Sequence, residues 1–188
     1  MLRIDCLRTV YGDLRDCLVV TIMGATAAEL QSLGHRPNFF YLQHAMGLAS
    51  SLGLGLALAK PKQKVVVFDG DGSILMNLGG FTTLARYAPA NMVHVVFDNE
   101  SLLSVGGFPT ATSTGSDIAR IARACGIPSV ARVGSVEEFA RAFREALLGN
   151  QLTTITAKVE AKGPPTFLTD LGLLENRFQF QRYVRGLA

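Results

Sequence analysis

Apolar residues along this chain fall into short unbroken runs separated by amphipathic stretches. Cys17–Ile22 (CLVVTI), Val65–Phe68 (VVVF) and Met92–Phe97 (MVHVVF) are such runs, and Ser129–Val133 and Thr153–Val159 are β-branched segments of similar length. A run of this kind fits a strand buried on both faces, as in a parallel sheet, because a half-exposed strand alternates instead. Phe39–Tyr41 adds a short strand. Between them the pattern predicts helices over Leu2–Tyr11, Ala27–Leu33, His44–Ala59 (rich in glycine and alanine, ended by Pro61), Leu75–Tyr87 (closed by Pro89), Ile118–Cys125 and Val136–Leu148. Asp117 is placed to cap the helix from Ile118, with Gly126 as its stop, and Ser135 with Glu138 makes a capping-box pattern before Val136. Strands alternating with helices imply βαβ units and an α/β fold: an open, mostly parallel sheet in three α/β/α layers. Glu100–Ser116 reads as a long loop, a length that often carries function. The tail from Glu160 is mixed; Pro164–Pro165 breaks it, and Arg177–Arg185 alternates aromatic and charged residues in a way suited to packing across a subunit surface.

Composition narrows this picture. A chain of 188 residues suffices for one sizeable core, expected over about residues 15–160 with 161–188 as a tail, and is short for two domains. Hydrophobic content of 48% against 18% charge fits a well-buried fold with apolar surface left for a partner. The formal charge of +3 is spread without a Lys/Arg run, which speaks against a nucleic-acid footprint. Cys6, Cys17 and Cys125 are odd in number and show no C-x-x-C spacing, so a disulfide framework, an Fe–S cluster or a zinc knuckle is not expected. Met1–Asp5 lacks the apolar run of a signal peptide, and Met46–Ala59 is too short and too rich in Gly and Ser to span a bilayer. The expectation is a soluble, cytoplasmic protein without membrane or nucleic-acid partners.

The candidate chemistry centres on Val65–Ser73. Four apolar residues run into Asp69–Gly70–Asp71–Gly72–Ser73, so a strand end presents a carboxylate and free N–H groups where a helix starts. In open α/β sheets that is where phosphates and their metal ions sit. Asn99 ends the next buried run, one crossover helix further on, and right-handed βαβ geometry would bring it to the same rim as Asp71. An Asp carboxylate, an Asn amide oxygen and a backbone carbonyl are hard oxygen donors suited to Mg²⁺, which keeps its remaining positions for phosphate and water. A generic α/β module binding a Mg²⁺-nucleotide stays open at this point.

Gly70–Asp71–Gly72–Ser73 followed by Asp98–Asn99 resembles the diphosphate motif of thiamine-diphosphate enzymes. The flanking MGLASSLGLGLAL (46–58), GDGSILMNLG (70–79), NMVHVV (91–96), Gly106–Gly107 and IARACG (121–126) are similar to sulfopyruvate decarboxylase β subunits and to the C-terminal part of phosphonopyruvate decarboxylases. The resemblance implies thiamine diphosphate and Mg²⁺ as cofactors, with Asp71, Asn99 and the Ser101 carbonyl on the metal. It implies Gly70, Gly72, Ser73, Gly24 and Thr26 around the diphosphate, Met46 beneath the bent cofactor, and the main chain of His44 and Met46 at the pyrimidine edge. It also implies decarboxylation of a small 2-oxo acid as part of a homo- or hetero-oligomer. The glutamate that activates the pyrimidine belongs, in that family, to a separate pyrimidine-binding domain; none of Glu29, Glu100, Glu137 and Glu138 lies in such a domain, so an α subunit is expected to supply it. Rival readings are an acetolactate-synthase-like carboligase subunit and a non-catalytic cofactor-binding subunit. Two departures bear on them. His44–Ala45 stands where Gly-Ser is usual, and Ser104–Val105–Gly106–Gly107–Phe108 replaces a more polar loop near the expected substrate entrance, which weakens the case for a sulfonate or phosphonate substrate. His94, inside an apolar run, reads as a satisfied core residue, and Cys125 as inert packing.

Overall fold

The structure, a computed structural model, describes residues 1–167 and 171–187. In chain order the elements are α1 (Arg3–Val10), β1 (Cys17–Thr21), α2 (Ala25–Ser32), β2 (Phe39–Tyr41), α3 (Ala49–Ala59), β3 (Lys64–Gly70), α4 (Asp71–Leu75), α5 (Gly79–Tyr87) and β4 (Met92–Asp98). A short hairpin of β5 (Ser101–Leu102) and β6 (Phe108–Pro109) follows, then α6 (Ile118–Ala124), β7 (Ser129–Val133), α7 (Val136–Leu148), β8 (Thr153–Lys158) and α8 (Leu173–Gly186). Six strands form one sheet in the order β2-β1-β3-β4-β8-β7, with every pairing parallel.

The unbroken apolar runs have the expected cause. On β3, Val66 and Phe68 join a core with α1, α2 and α7, whereas Val65 and Val67 join a second core with α3, α5 and α6. Each strand residue therefore needs an apolar side chain whichever way it points. In the first core Phe68 stacks on Phe97 and Phe143 with centroids 5.9 and 6.1 Å apart, directly under the ends of β3 and β4. The strand order reverses at β1: the chain goes to β2 on one side and returns to β3 on the other, so the carboxyl ends of β1 and β3 form the switch point at which such sheets bind ligands.

Three expectations need correction. The helix expected from His44 begins at Ala49; His44 (φ 55°) and Gly47 (φ 83°) are left-handed, so residues 44–48 make a turn that ordinary helix periodicity conceals. The helix expected over Leu75–Tyr87 starts at Asp71 and is broken between Leu75 and Gly79, where Asn77 donates from Nδ2 to the Gly47 carbonyl at 2.9 Å. The stretch 100–116 is not a plain loop, since it holds the hairpin and two 3₁₀ turns. Within the tail, Leu173–Gly186 folds as α8, and one face of that helix lies on this chain's own sheet. Asn176 closes the exposed edge of β2, accepting from Tyr41 N–H at 3.0 Å and donating to the Phe39 carbonyl at 2.8 Å, as a neighbouring strand would. Phe178 and Leu174, on the outer side, stay exposed. Residues 168–170 and 188 of the tail lie outside the described residues.

Candidate functional site

The register of β3 on β4 pairs Gly70 with Phe97 and Asp69 with Val96, so Asp71 emerges beside Asp98 and Asn99. Together with the end of β1 these strand ends open into one cleft. Thr26, Met46, Gly70, Asp71, Gly72, Ser73, Asn99 and Ser101 line it, with Ala25, Ser104 and Arg3. Two of the residues expected at the site lie outside the lining. Gly24 is the N-cap of α2, with φ 77° and the Ser104 side chain about 3 Å from where a Cβ would sit. His44 is exposed on the turn before Met46.

Two helices start in this cleft, and neither N-cap, Gly24 for α2 or Gly70 for α4, closes its helix with a side-chain hydrogen bond. The first N–H groups of a helix have no internal partner. Two such starts facing one cleft, at a switch point, make a cradle for an anion with several oxygens, such as a diphosphate. The turn bearing Met46 is fixed to the same wall. Gly47 N–H donates to Ser73 Oγ at 2.9 Å, and Asn77 holds the Gly47 carbonyl. Met46 is thereby held over the start of α4.

Asp71 is almost fully buried. Burial pushes its carboxyl above the usual carboxylate range; the Thr110 hydroxyl pulls the other way, and neighbouring Asp98 adds to the upward push. Its Oδ2 accepts a short hydrogen bond from Thr110 Oγ1, with Thr112 Oγ1 at 3.2 Å. Thr112 Oγ1 also lies 2.8 Å from Asp98 Oδ1 and 2.8 Å from Thr110 Oγ1. Two hydroxyl hydrogens thus serve four close oxygen contacts between two threonines and two carboxylates. Lys158, 3.3 Å away, offsets the charge of Asp98, whereas the partners of Asp71 are two hydroxyls and the Gly72 backbone N–H, none of them charged. A cation on the free side of Asp71 would relieve this concentration of negative oxygen, and the other donors at hand are hard as well: the Asn99 amide oxygen, which accepts from Ser101 N–H at 3.0 Å, and the Ser101 carbonyl. The donor set therefore fits Mg²⁺.

Thr110 and Thr112 were not among the residues expected here, and Asp98 entered only as the neighbour of Asn99 in the motif. The only trace of the threonines in the sequence is the polar run after Pro109, which reads alike whether it faces water or a carboxylate. Arg3 was missed as well. It forms a bidentate pair with Glu29, at 2.7 and 3.1 Å, with both side chains buried, and donates to the Lys162 carbonyl. Burial pushes the Glu29 carboxyl up and Arg3 opposes the shift. Glu29 is thus engaged and outside the cleft. Glu100 is paired with Lys158, and Glu138 accepts from Gly134 N–H at the start of α7, where Ser135 caps as expected. His94 is only half satisfied: Nε2 lies 3.3 Å from the buried Asp69 carboxylate, whereas Nδ1 has no partner.

A cleft of this kind, at the switch point of a parallel sheet with a diphosphate cradle beside hard oxygen donors, defines a cofactor-binding α/β domain. Residues 23–157 match the family described as thiamine pyrophosphate enzyme, C-terminal TPP binding domain, and the chain belongs to that family. It is 38% identical over 157 residues to the sulfopyruvate decarboxylase β subunit of Methanocaldococcus jannaschii, covering 83% of this chain and 82% of that one. It is 42% identical over 146 residues to the phosphonopyruvate decarboxylase of Streptomyces viridochromogenes, of which it spans 36%. The benzoylformate decarboxylase of Polynucleobacter necessarius has the same fold, with a TM-score of 0.72 at 21% identity over 88% of this chain and 34% of that one. The cofactor of the family is thiamine diphosphate, and the relatives named here are decarboxylases. Among the described residues no helix is long and apolar enough to cross a membrane.

Proposed function

We propose that this chain is the diphosphate-binding subunit of an enzyme that decarboxylates a small 2-oxo acid with thiamine diphosphate and Mg²⁺, and that a second chain carries the pyrimidine-binding site. The observation that supports this most is the joining, in one cleft, of two uncapped helix starts with the Asp71–Asn99–Ser101 donor set. In this reading Asp71, Asn99 and the Ser101 carbonyl hold Mg²⁺. The amides of Gly72 and Ser73, with those of Ala25 and Thr26, hold the diphosphate, and Met46 supports the cofactor's bend. When bound, the cofactor supplies an electron sink for the carbanion left as CO₂ departs. The residues of this chain hold its charged end, keep water from it and fix its orientation.

The placement of the glutamates supports a partner. Glu29 is tied to Arg3, Glu100 to Lys158, and Glu138 to the start of α7, while Glu137 is exposed on α7 and lines no part of the cleft. The names of the relatives point to sulfopyruvate or phosphonopyruvate as substrate class, although Val105 and Phe108 give the rim of the cleft an exposed apolar hairpin. Co-expression with a pyrimidine-binding chain, followed by CO₂ release from sulfopyruvate, phosphonopyruvate and pyruvate, tests the proposal. Turnover is expected only with both chains, thiamine diphosphate and Mg²⁺. Turnover by this chain alone would contradict it, and a complex that binds cofactor without releasing CO₂ would favour a non-catalytic subunit.

A further inference from the structure

The metal donors in this cleft come from two places, Asp71 at the end of β3 and Asn99 with Ser101 after β4. The pairing of β3 with β4 brings the two strand ends together, but the hairpin that begins at Ser101 lies beyond the last ladder pair, Gly70 with Phe97. Thr110 bridges the hairpin to Asp71. Its N–H donates to the Glu100 carbonyl at 3.0 Å, closing the base of the hairpin, and its hydroxyl donates to Asp71 Oδ2. Thr112 extends the bridge to Asp98 Oδ1, and both threonines are buried.

We propose that Thr110 and Thr112 are positioning residues for the metal. They occupy one oxygen of Asp71, which leaves the other for the cation, and they fasten the Ser101 hairpin to the strand end that bears Asp71. The inference rests on the reading of Asp71, Asn99 and Ser101 as Mg²⁺ donors. The packing agrees with it. A Cβ at Gly72 would lie 2.3 Å from Leu102 Cδ2 and 3.4 Å from Thr110 Cγ2, so the hairpin seats directly on the acidic turn with no side chain between. The β-branch of threonine also restricts χ1, which aims the hydroxyl at Asp71 while the methyl packs on Gly72. The hydroxyl supplies a hydrogen to the carboxylate without adding a charge, so Asp71 keeps its negative charge for the cation.

Groups that orient a metal ligand typically change metal affinity by roughly 10- to 100-fold when removed. The test uses the full chain in complex with its pyrimidine-binding partner, thiamine diphosphate present, and Mn²⁺ as a spin-active substitute for Mg²⁺, its binding read by electron paramagnetic resonance. Thr110→Val keeps shape and removes the hydroxyl; it is expected to weaken Mn²⁺ by about tenfold or more, with Thr112→Val intermediate. Thr110→Ser retains the hydroxyl and is expected to stay within a few-fold of wild type, a rescue that a merely structural role would not require. Circular-dichroism melts of the same variants separate metal loss from unfolding. Should Thr110→Val melt early, Thr110→Ser and Thr112→Val carry the comparison. Wild-type Mn²⁺ affinity in both valine variants would overturn the positioning role, as would a serine variant as weak as valine. Failure of the wild-type complex to bind Mn²⁺ would overturn the Mg²⁺ reading itself and the positioning role with it.

Discussion

At the scale of single residues the costly group is Asp71, a buried carboxylate whose protein partners, two hydroxyls and a backbone N–H, are all uncharged. Burying a charge is strongly unfavourable unless something compensates it, so a site of this kind is retained where a ligand completes it. Asp71 and Asn99 are legible in the sequence because each closes an unbroken apolar run. Thr110 and Thr112 are not, because their partners are fixed by the fold and not by spacing. The cysteines give a prediction at this scale. Burial pushes the Cys6 thiol up to about 12 and the Cys17 thiol up to about 11, whereas Cys125 is partly exposed. The reactive species is the thiolate. A maleimide at pH 7.5 is therefore expected to modify Cys125 alone in the folded chain and all three after denaturation. Rapid native labelling of Cys6 or Cys17 would show that the core around α1 and β1 opens far more readily than its packing implies.

Among the elements, α3 shows how one residue type can have opposite effects two positions apart. Its glycines look alike in the sequence. At Gly53 a Cβ would lie 2.2 Å from Val67 Cγ2 and 3.1 Å from Met92 Cε, so the missing side chain lets α3 press onto β3 and β4. Val67 is β-branched and fixed in the centre of the sheet, so it cannot move aside. At Gly55, exposed on the other face, nothing lies within 4 Å. Gly53→Ala is expected to destabilise by about 1–3 kcal/mol through overpacking. Gly55→Ala is expected to stabilise by about 0.5–1 kcal/mol through helix propensity. Urea unfolding of both variants checks the pair, and equal effects would mean that α3 is not seated on the sheet as described. The start of this helix was misread because left-handed His44 and Gly47 carry no periodic signature. The break before α5 was missed because it is set by Asn77 reaching Gly47, a contact across the fold.

On the scale of the whole molecule, the layered parallel sheet was readable because its central strands β1, β3 and β4 are buried on two faces, which writes an unbroken apolar run into the sequence. The strand order was not readable, although it decides where the cleft lies. Nor was the closing of the β2 edge by Asn176, a polar residue on an otherwise mixed helix that bonds to a strand more than a hundred residues earlier. In the proposed division of labour this chain holds the cofactor's charged end and a partner chain carries the activating glutamate. Calorimetric titration of thiamine diphosphate, at saturating Mg²⁺, into the complex of this chain with its pyrimidine-binding partner tests the central claim, that this cleft holds the cofactor through Asp71, most directly. Wild type is expected to bind at one site per copy of this chain, with affinity falling at least about tenfold in Asp71→Ala. Equal binding by Asp71→Ala, or tighter binding of a Mg²⁺-nucleotide than of thiamine diphosphate, would contradict the account.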